Sequence, residues 1–224
     1  EADLDMGEPA PDLKGVRLAV CREHFFEDLD AEVQDRVEKA IDHLRQLGAE
    51  VSEIELPGLA DALNAQKLIA QSEVVAFHQP ILQKYAHWYG EDLQFRFNFG
   101  KNVSAVEYIN AQRTRRKFIS RTLEVLASFD ALVAPTNSRP PFEIGTVPPE
   151  EAINNMFRLA KSPAANILGF PSLTVPCGFL SGNLPVGLQL IGKPFAEKKL
   201  LQIGEVYESN NRWVDRLSEN EAWK

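Results

Sequence analysis

The sequence predicts an α/β fold: a mixed β-sheet flanked by helices on both faces, with a helical insertion. Three features predict it. Residues 16–56 alternate a short apolar run, a helical pattern and a second apolar run. Residues 57–129 carry helical periodicity over a long stretch that separates sheet strands. Two further runs, residues 172–175 and 186–191, lack clean polar alternation and read as strands buried on both faces. Strands interleaved with helices in this way build helix layers over a sheet.

Taken in order, residues 1–14 are acidic, proline-bearing and aperiodic, and read as a linker or surface strap. Residues 15–224 form the remaining unit, with 57–129 as an insertion within it. Residues 16–20 are the first strand. Asp30 caps a helix whose apolar positions Val33, Val37, Ala40, Ile41, Leu44 and Leu47 make one stripe, and Gly48 ends it. Residues 51–56 are a second strand, with Ile54 and Leu56 to one side. The resulting β-α-β unit is expected to cross over right-handed. No glycine-rich turn joins its first strand to its helix, so nothing there marks a phosphate or dinucleotide site.

Residues 57–89 read as mostly helical and broken at Pro80, with Phe77, Ile81, Leu82, Tyr85 and Trp88 forming an apolar face around the break. The segment RFNFG, residues 96–100, is a loop or a helix end. Ser104 opens a long helix to Phe129 that buries Ile109, Phe118, Ile119, Leu123 and Leu126. Arg113, Arg115, Arg116 and Lys117 on it make a solvated or ion-paired face. Residues 131–134 form a strand ending at Pro135-Thr136, and residues 137–149, with four prolines, form a surface loop. A helix follows from Pro149 or Glu150 to about Lys161. Ser162 is placed to cap the next helix, Pro163 fits its first position, Gly169 its left-handed end, and Pro171 forbids continuation. Residues 177–185 read as a loop rather than a tight hairpin turn. The last helix, residues 197–208, turns Leu200, Leu201 and Val206 inward; the polar tail beyond it offers Trp213, Leu217 and Trp223 for docking back.

Composition limits the function. Across 224 residues, 44% are apolar, enough for a core, and 25% are charged. A net charge of −8 argues against nucleic-acid and anionic-membrane surfaces. No apolar run approaches bilayer length and the N-terminus has no signal-like pattern, so a cytoplasmic location is expected. Cys21 and Cys177 read as reduced, buried thiols. His24, His43, His78 and His87 are scattered without zinc-site spacing, and His43 beside Asp42 reads as part of a solvated helix face; no metal or other cofactor is expected. The first residue is Glu1, so either a leader or tag was removed or a longer polypeptide precedes it.

The densest text lies in residues 162–192. It holds Asn166, Gly169-Phe170-Pro171, Val175-Pro176-Cys177-Gly178 and the run Leu184 to Gly192, LPVGLQLIG. In this order, N-x-x-G-[LF]-P, V-P-x-G and L-P-x-G-x-Q resemble the C-terminal part of the amidase-signature enzymes, and the similarity extends from about Gly15 to Glu208. The resemblance implies a parent enzyme that hydrolyses or transfers amides through a serine acyl-enzyme. In that family a lysine deprotonates the serine through a second, cis-peptide serine, and a Gly/Ser-rich loop holds the oxyanion with backbone N–H groups. A hydroxyl needs such a base, and an oxyanion such donors. The G-G-S-S-G-G-S-like segment and its preceding lysine have no counterpart here; Ser181-Gly182-Asn183 is the nearest glycine-serine text. The sequence is therefore read as the C-terminal portion of such an enzyme without its triad. It is expected to be inactive alone and to be completed by the N-terminal half of the same enzyme, with a homo-oligomer as a further possibility. The alternatives are a non-catalytic structural or substrate-binding module and the A-type subunit of a glutamine-dependent tRNA amidotransferase.

The resemblance also implies substrate-binding positions. Arg96, in an R-x-x-x-G segment, matches an arginine that binds a glutamine carboxylate in the amidotransferase members; a helix-end salt bridge is the other reading. Leu159, seven positions before Asn166, stands where glutamine-using members carry an acid for the substrate ammonium. A leucine cannot hold a cation, which favours an amidase acting on a small-molecule amide with a less polar acyl group. Ser162 occupies the family's threonine position, where its capping role explains it equally well. Cys177, in the V-P-C-G turn, reads as a packed thiol.

Overall fold

The computed structural model describes residues 10–219, and the expected docking of Trp223 and most of the 1–14 strap lie outside them. Five strands form one sheet: β1 (Arg17–Cys21), β2 (Glu50–Ile54), β3 (Ala131–Pro135), β4 (Ser172–Phe179) and β5 (Pro185–Gly192). The order across it is β2-β1-β3-β5-β4. β1 pairs in parallel with both β2 and β3, while β5 runs antiparallel between β3 and β4. The sheet is mixed, as predicted.

Alternation along the strands divides the core in two. Leu18, Val20, Val133, Leu188 and Leu190 face α1 (Ala31–Gln46) and α7 (Glu197–Asn211). Ala19, Cys21, Leu132, Ala134 and Ile191 face the other way. There they meet α2 (Leu59–Tyr85), α4 (Ala105–Val125) and α6 (Pro163–Leu168). The α1 stripe is buried from Val33 to Leu44, and the Asp30 side chain accepts from the Glu32 N–H at 2.9 Å. Before it, Leu13 is buried and its N–H donates to the Leu47 carbonyl.

The helical stretch departs from expectation at Pro80. α2 runs through it unbroken, because Pro80 and Ala76 both lie at the surface, where water can satisfy the carbonyl that proline leaves without a partner. The aromatic face around it is not a packed one: Phe77 is 73% and Trp88 69% exposed, and Tyr85 stacks on Trp88 in the open. α3 (Glu91–Gly100) makes RFNFG a helix end. Ser104 caps α4 with a full capping box, its Oγ accepting from the Glu107 N–H while Glu107 accepts from the Ser104 N–H. Of the expected α4 stripe, Phe118 and Leu126 are buried and Ile119 and Leu123 pack partly buried against the same core, while Ile109 is exposed; Ala111 and Thr122 are buried as well, where α4 lies along α2.

Further differences concern the C-terminal third. α5 (Pro149–Arg158) is shorter than predicted. Ser162 does precede α6, but its own backbone is helical (φ −63°, ψ −23°) and its side chain makes no capping bond. Gly169 is left-handed, as expected. β4 continues through Pro176 to Phe179, with an irregularity between Pro176 and Gly178 that absorbs the extra residue. β4 and β5 form a hairpin joined through residues 180–184, a loop rather than a tight turn as expected, which the Leu180 N–H closes on the Leu184 carbonyl. Ser172 and Thr174 are exposed while Val175 and Cys177 are buried, so one face of β4 packs on the core and the other does not. In α7, Leu200, Ile203, Val206 and Tyr207 are buried and Leu201 is exposed. His43 packs edge-on against Tyr207 rather than facing solvent. α8 (Trp213–Glu219) sets Trp213 against Phe179; the Leu217 side chain is outside the described residues.

Candidate functional site

In an open α/β sheet the usual ligand crevice lies beyond the carboxyl ends of the parallel strands, where neighbouring strands are left in opposite directions. Here that point is β1, with β2 on one side and β3 on the other. The segments leaving β1 and β3 and the link between α5 and α6 are sewn together there. The Asp30 N–H donates to the Ser138 carbonyl, the Ser138 N–H to the Leu159 carbonyl, and the Lys161 N–H to the Thr136 carbonyl, all at 2.8–2.9 Å.

Lys161 is the centre of this arrangement, and no motif in the sequence marks it. It is only 3% exposed. Its Nζ donates to the carbonyls of His24 (2.6 Å) and Glu27 (3.2 Å), in a loop that turns with left-handed His24 and Asp28. Burial lowers the Lys161 pKa, while the Glu27 and Asp28 charges oppose the shift. With both described bonds spent on carbonyls, Lys161 pins the loop and holds Leu159 and Ser162 on either side of itself. Its only signal is position: a single cation in the otherwise apolar or small run from Leu159 to Leu168.

His24 shares this environment. Burial, and then the Lys161 charge, push its pKa from 6.5 down to about 4. Between those values the unfolded chain binds the additional proton, so stability is full above about pH 6.5 and is lost as pH falls towards 4. Replacing His24 by Gln is expected to flatten that stretch of a plot of unfolding midpoint against pH. An unchanged slope would remove His24 as its source.

Beside Lys161 opens a cavity of about 470 Å³, lined mainly by apolar groups that include Leu159, Ala160, Phe142, Pro185 and Gly187, with Asn155, Asn137 and the cation Arg139 as polar edges. Leu159 is thus a cavity wall. Ser162 is half-buried and does not line this cavity. Asn166 is exposed and borders a separate recess of about 210 Å³ with Gln66, Glu73 and Arg115. Arg96 is in neither. Its guanidinium carbon lies 5.9 Å from the ring centre of Phe157, two residues before Leu159, and its buried Nε has no partner. Burial lowers its pKa. Among the described residues it makes no ion pair, so the helix-end salt bridge is not formed. Leu159 lines the cavity, Asn166 borders the separate recess, and Arg96 and Ser162 line neither, so the four expected positions do not share one pocket.

The glycine of R-x-x-x-G has a physical reason. A Cβ on Gly100 would lie 2.3 Å from the Gln71 carbonyl oxygen and 2.6 Å from a Val75 methyl. Only glycine lets the end of α3 rest on the α2 backbone, and that contact seats Arg96. The Gly of L-P-x-G-x-Q works similarly: a Cβ at Gly187 would meet Thr136 Oγ1 at 2.7 Å and Thr174 at 2.9 Å. On this same sheet face Gln189 is 3% exposed, and among the described residues neither its Oε1 nor the buried Oγ1 of Thr136 has a partner. Each such group costs about 1–3 kcal/mol if left unmatched. The thiols offer no nucleophile: burial pushes Cys177 up to about 12 and Cys21 up to about 11.

Comparison with known proteins agrees with this architecture. The family model described as Amidase matches residues 6–201. An amidase of Pseudomonas putida is 33% identical over 213 residues, covering 92% of this chain and 45% of that protein. The A-type subunit of a Synechococcus glutamyl-tRNA(Gln) amidotransferase is 31% identical over 229 residues, covering 92% and 44%. The crystal structure of the A-type subunit of the Thermotoga maritima glutamyl-tRNA(Gln) amidotransferase superposes with a TM-score of 0.70 at 30% identity over 91% of this chain and 44% of that one. A bacterial aryl acylamidase shares the fold, with a TM-score of 0.74 at 20% identity over 92% and 46%. The chain spans less than half the length of these relatives.

Proposed function

From the premise that this chain belongs to the amidase family, we propose that it is the C-terminal portion of a serine amidase that cleaves C–N amide bonds. In this reading it supplies the acyl-side wall of the pocket, and an N-terminal half supplies the serine nucleophile, its serine–lysine relay and the oxyanion loop. The serine attacks the amide carbonyl, the amine leaves with the relayed proton, and water releases the acid from the acyl-enzyme. Alone, the chain is inactive. The observation that carries this reading is the pair of buried, unmatched oxygens on Gln189 and Thr136. They lie on a sheet whose β4 edge is paired on one side only among the described residues. A segment docked on that edge would pair it, and a donor inserted beside Gly187 would satisfy the oxygens. Leu159 in the wall of an apolar cavity supports an acyl group without a cation.

Identity above 30% to the A-type subunits of glutamyl-tRNA(Gln) amidotransferases favours a second reading, a glutamine-using protein of that kind. Leu159 opposes it, because the substrate ammonium would face an apolar side chain. Among the described residues no helix is long and apolar enough to cross a membrane, and we place the assembled enzyme in the cytoplasm. The test is an amidase assay on a panel of small acyl amides, with the purified chain alone and with the upstream half co-expressed. Turnover is expected only with both. Turnover by the chain alone, surviving repurification, would overturn the reading, and glutamine as the one accepted substrate would favour the amidotransferase.

A further inference from the structure

Opposite charges line one recess of this chain without meeting. On α2, Gln66, Ala70 and Glu73 fall on one helix face by their spacing, where α2 packs against α4 and α6. Arg115 of α4 lines the same recess of about 210 Å³, and the buried Ile69 and Ile167 give it an apolar part. Each charge is tied by a network of its own. The Arg115 Nε donates to the Ile167 carbonyl at 2.8 Å, and its Nη2 lies 3.1 Å from where a Cβ on left-handed Gly169 would stand. A Glu73 carboxylate oxygen accepts from the Tyr108 hydroxyl at 2.9 Å, and that hydroxyl accepts from the Gln112 amide at 3.0 Å. Among the described residues neither Arg115 nor Glu73 forms an ion pair, although they share the recess. The Gln66 Oε1 is buried and, among the described residues, has no partner either. None of these residues lines the apolar cavity beside Lys161.

We propose that this recess binds a small zwitterionic α-amino acid. A guanidinium carries five donors, and Arg115 spends its Nε on a carbonyl, so its two Nη groups remain for a carboxylate. The ligand ammonium has three donors, which match the Glu73 carboxylate and the unmatched Gln66 Oε1. A lone carboxylate would set its charge against Glu73, and a lone amine against Arg115. Only a ligand that carries both signs matches both sides. The volume equals that of roughly seven waters at about 30 Å³ each, which suits an amino-acid backbone with a small side chain and leaves out long ones. The exposed Asn166 borders the recess and adds an uncharged amide. No step of amide hydrolysis enters this inference, so it stands or falls apart from the amidase reading.

The probe is alanine, titrated into the 224-residue chain by calorimetry. N-acetylalanine keeps the carboxylate and loses the ammonium, and alaninamide keeps the ammonium and loses the carboxylate. Alanine is expected to bind at least tenfold more tightly than either. Glu73→Gln keeps the size of the side chain and loses the charge; it should weaken alanine about tenfold and leave N-acetylalanine unchanged. Gln66→Leu should weaken alanine several-fold while the unfolding midpoint stays level or rises, because leucine removes an oxygen that nothing in the chain satisfies. A residue with a structural role alone would not lower alanine affinity while the midpoint holds. Equal affinity for alanine and N-acetylalanine, or unaltered alanine affinity in Glu73→Gln, would overturn the proposal. So would the absence of both binding heat and any midpoint shift on adding alanine, the result expected if Arg115 and Glu73 simply pair with each other in solution.

Discussion

Gly100→Ala is expected to destabilise the chain by about 1–3 kcal/mol, the cost of overpacking a closed contact. For a chain of this size that is a fall of roughly 2–12 °C in the unfolding midpoint. The reason lies in what the added methyl would meet: the Gln71 carbonyl oxygen at 2.3 Å and a Val75 methyl at 2.6 Å. The first is backbone in the middle of α2 and cannot turn aside as a long side chain can. α3 must therefore lift off α2, and Arg96 and Phe99 move with it. Gly145 provides the contrast. It is also a glycine of this chain, but nothing lies within 4 Å of a Cβ there, so only its positive φ of 82° resists alanine. Circular-dichroism melts of the two variants separate close approach from backbone conformation. A Gly100→Ala chain that melts within 1 °C of the parent would show that the contact between α3 and the α2 backbone is not closed.

The fold was legible where periodicity and punctuation act locally. Asp30, Gly48, Ser104 and Gly169 each mark the end or start they were expected to mark, because a cap or a left-handed turn is decided within a few residues. What failed depended on neighbours. Pro80 reads as a break, yet an exposed proline in a long helix costs one bond that water replaces. β4 reads as covered on both faces, yet the helices that pack on the sheet leave Ser172 and Thr174 exposed. Ile109 and Leu201 fit an apolar stripe by spacing, and lost their places to Ala111 and Ile203 when the helices chose their contact faces. The candidate site was legible through motif text more than through physics. R-x-x-x-G pointed to Arg96, but the carbonyl that demands Gly100 belongs to a residue 29 positions earlier. Lys161 carries no local mark at all, since it is a lysine between an alanine and a serine. Its meaning arises from the carbonyls of His24 and Glu27 that another element brings to it.

Gln189→Leu is expected to act with opposite signs on the chain alone and on the assembled halves. Alone, the chain buries an amide oxygen without a partner, and an apolar side chain of similar length relieves a cost of about 1–3 kcal/mol. The midpoint should stay level or rise by roughly 2–10 °C. In the assembly that same oxygen is the acceptor for the docked half, so leucine removes a bond and leaves the donor unmatched. Affinity between the halves should then drop by about tenfold or more. The unaltered chain sets the baseline. With its β4 edge unpaired and Phe77, Ile81, Tyr85 and Trp88 exposed, it is expected to self-associate or to melt at a low temperature. Adding the N-terminal half at about 100 times its dissociation constant should stabilise it by about 2.7 kcal/mol through mass action alone. Sedimentation and melting of both chains, with and without the N-terminal half, decide the matter. A monomer that melts high, ignores the other half and loses stability on Gln189→Leu would mean that the amide already has its partner within this chain. The open face would then be an ordinary surface rather than the place where the other half docks.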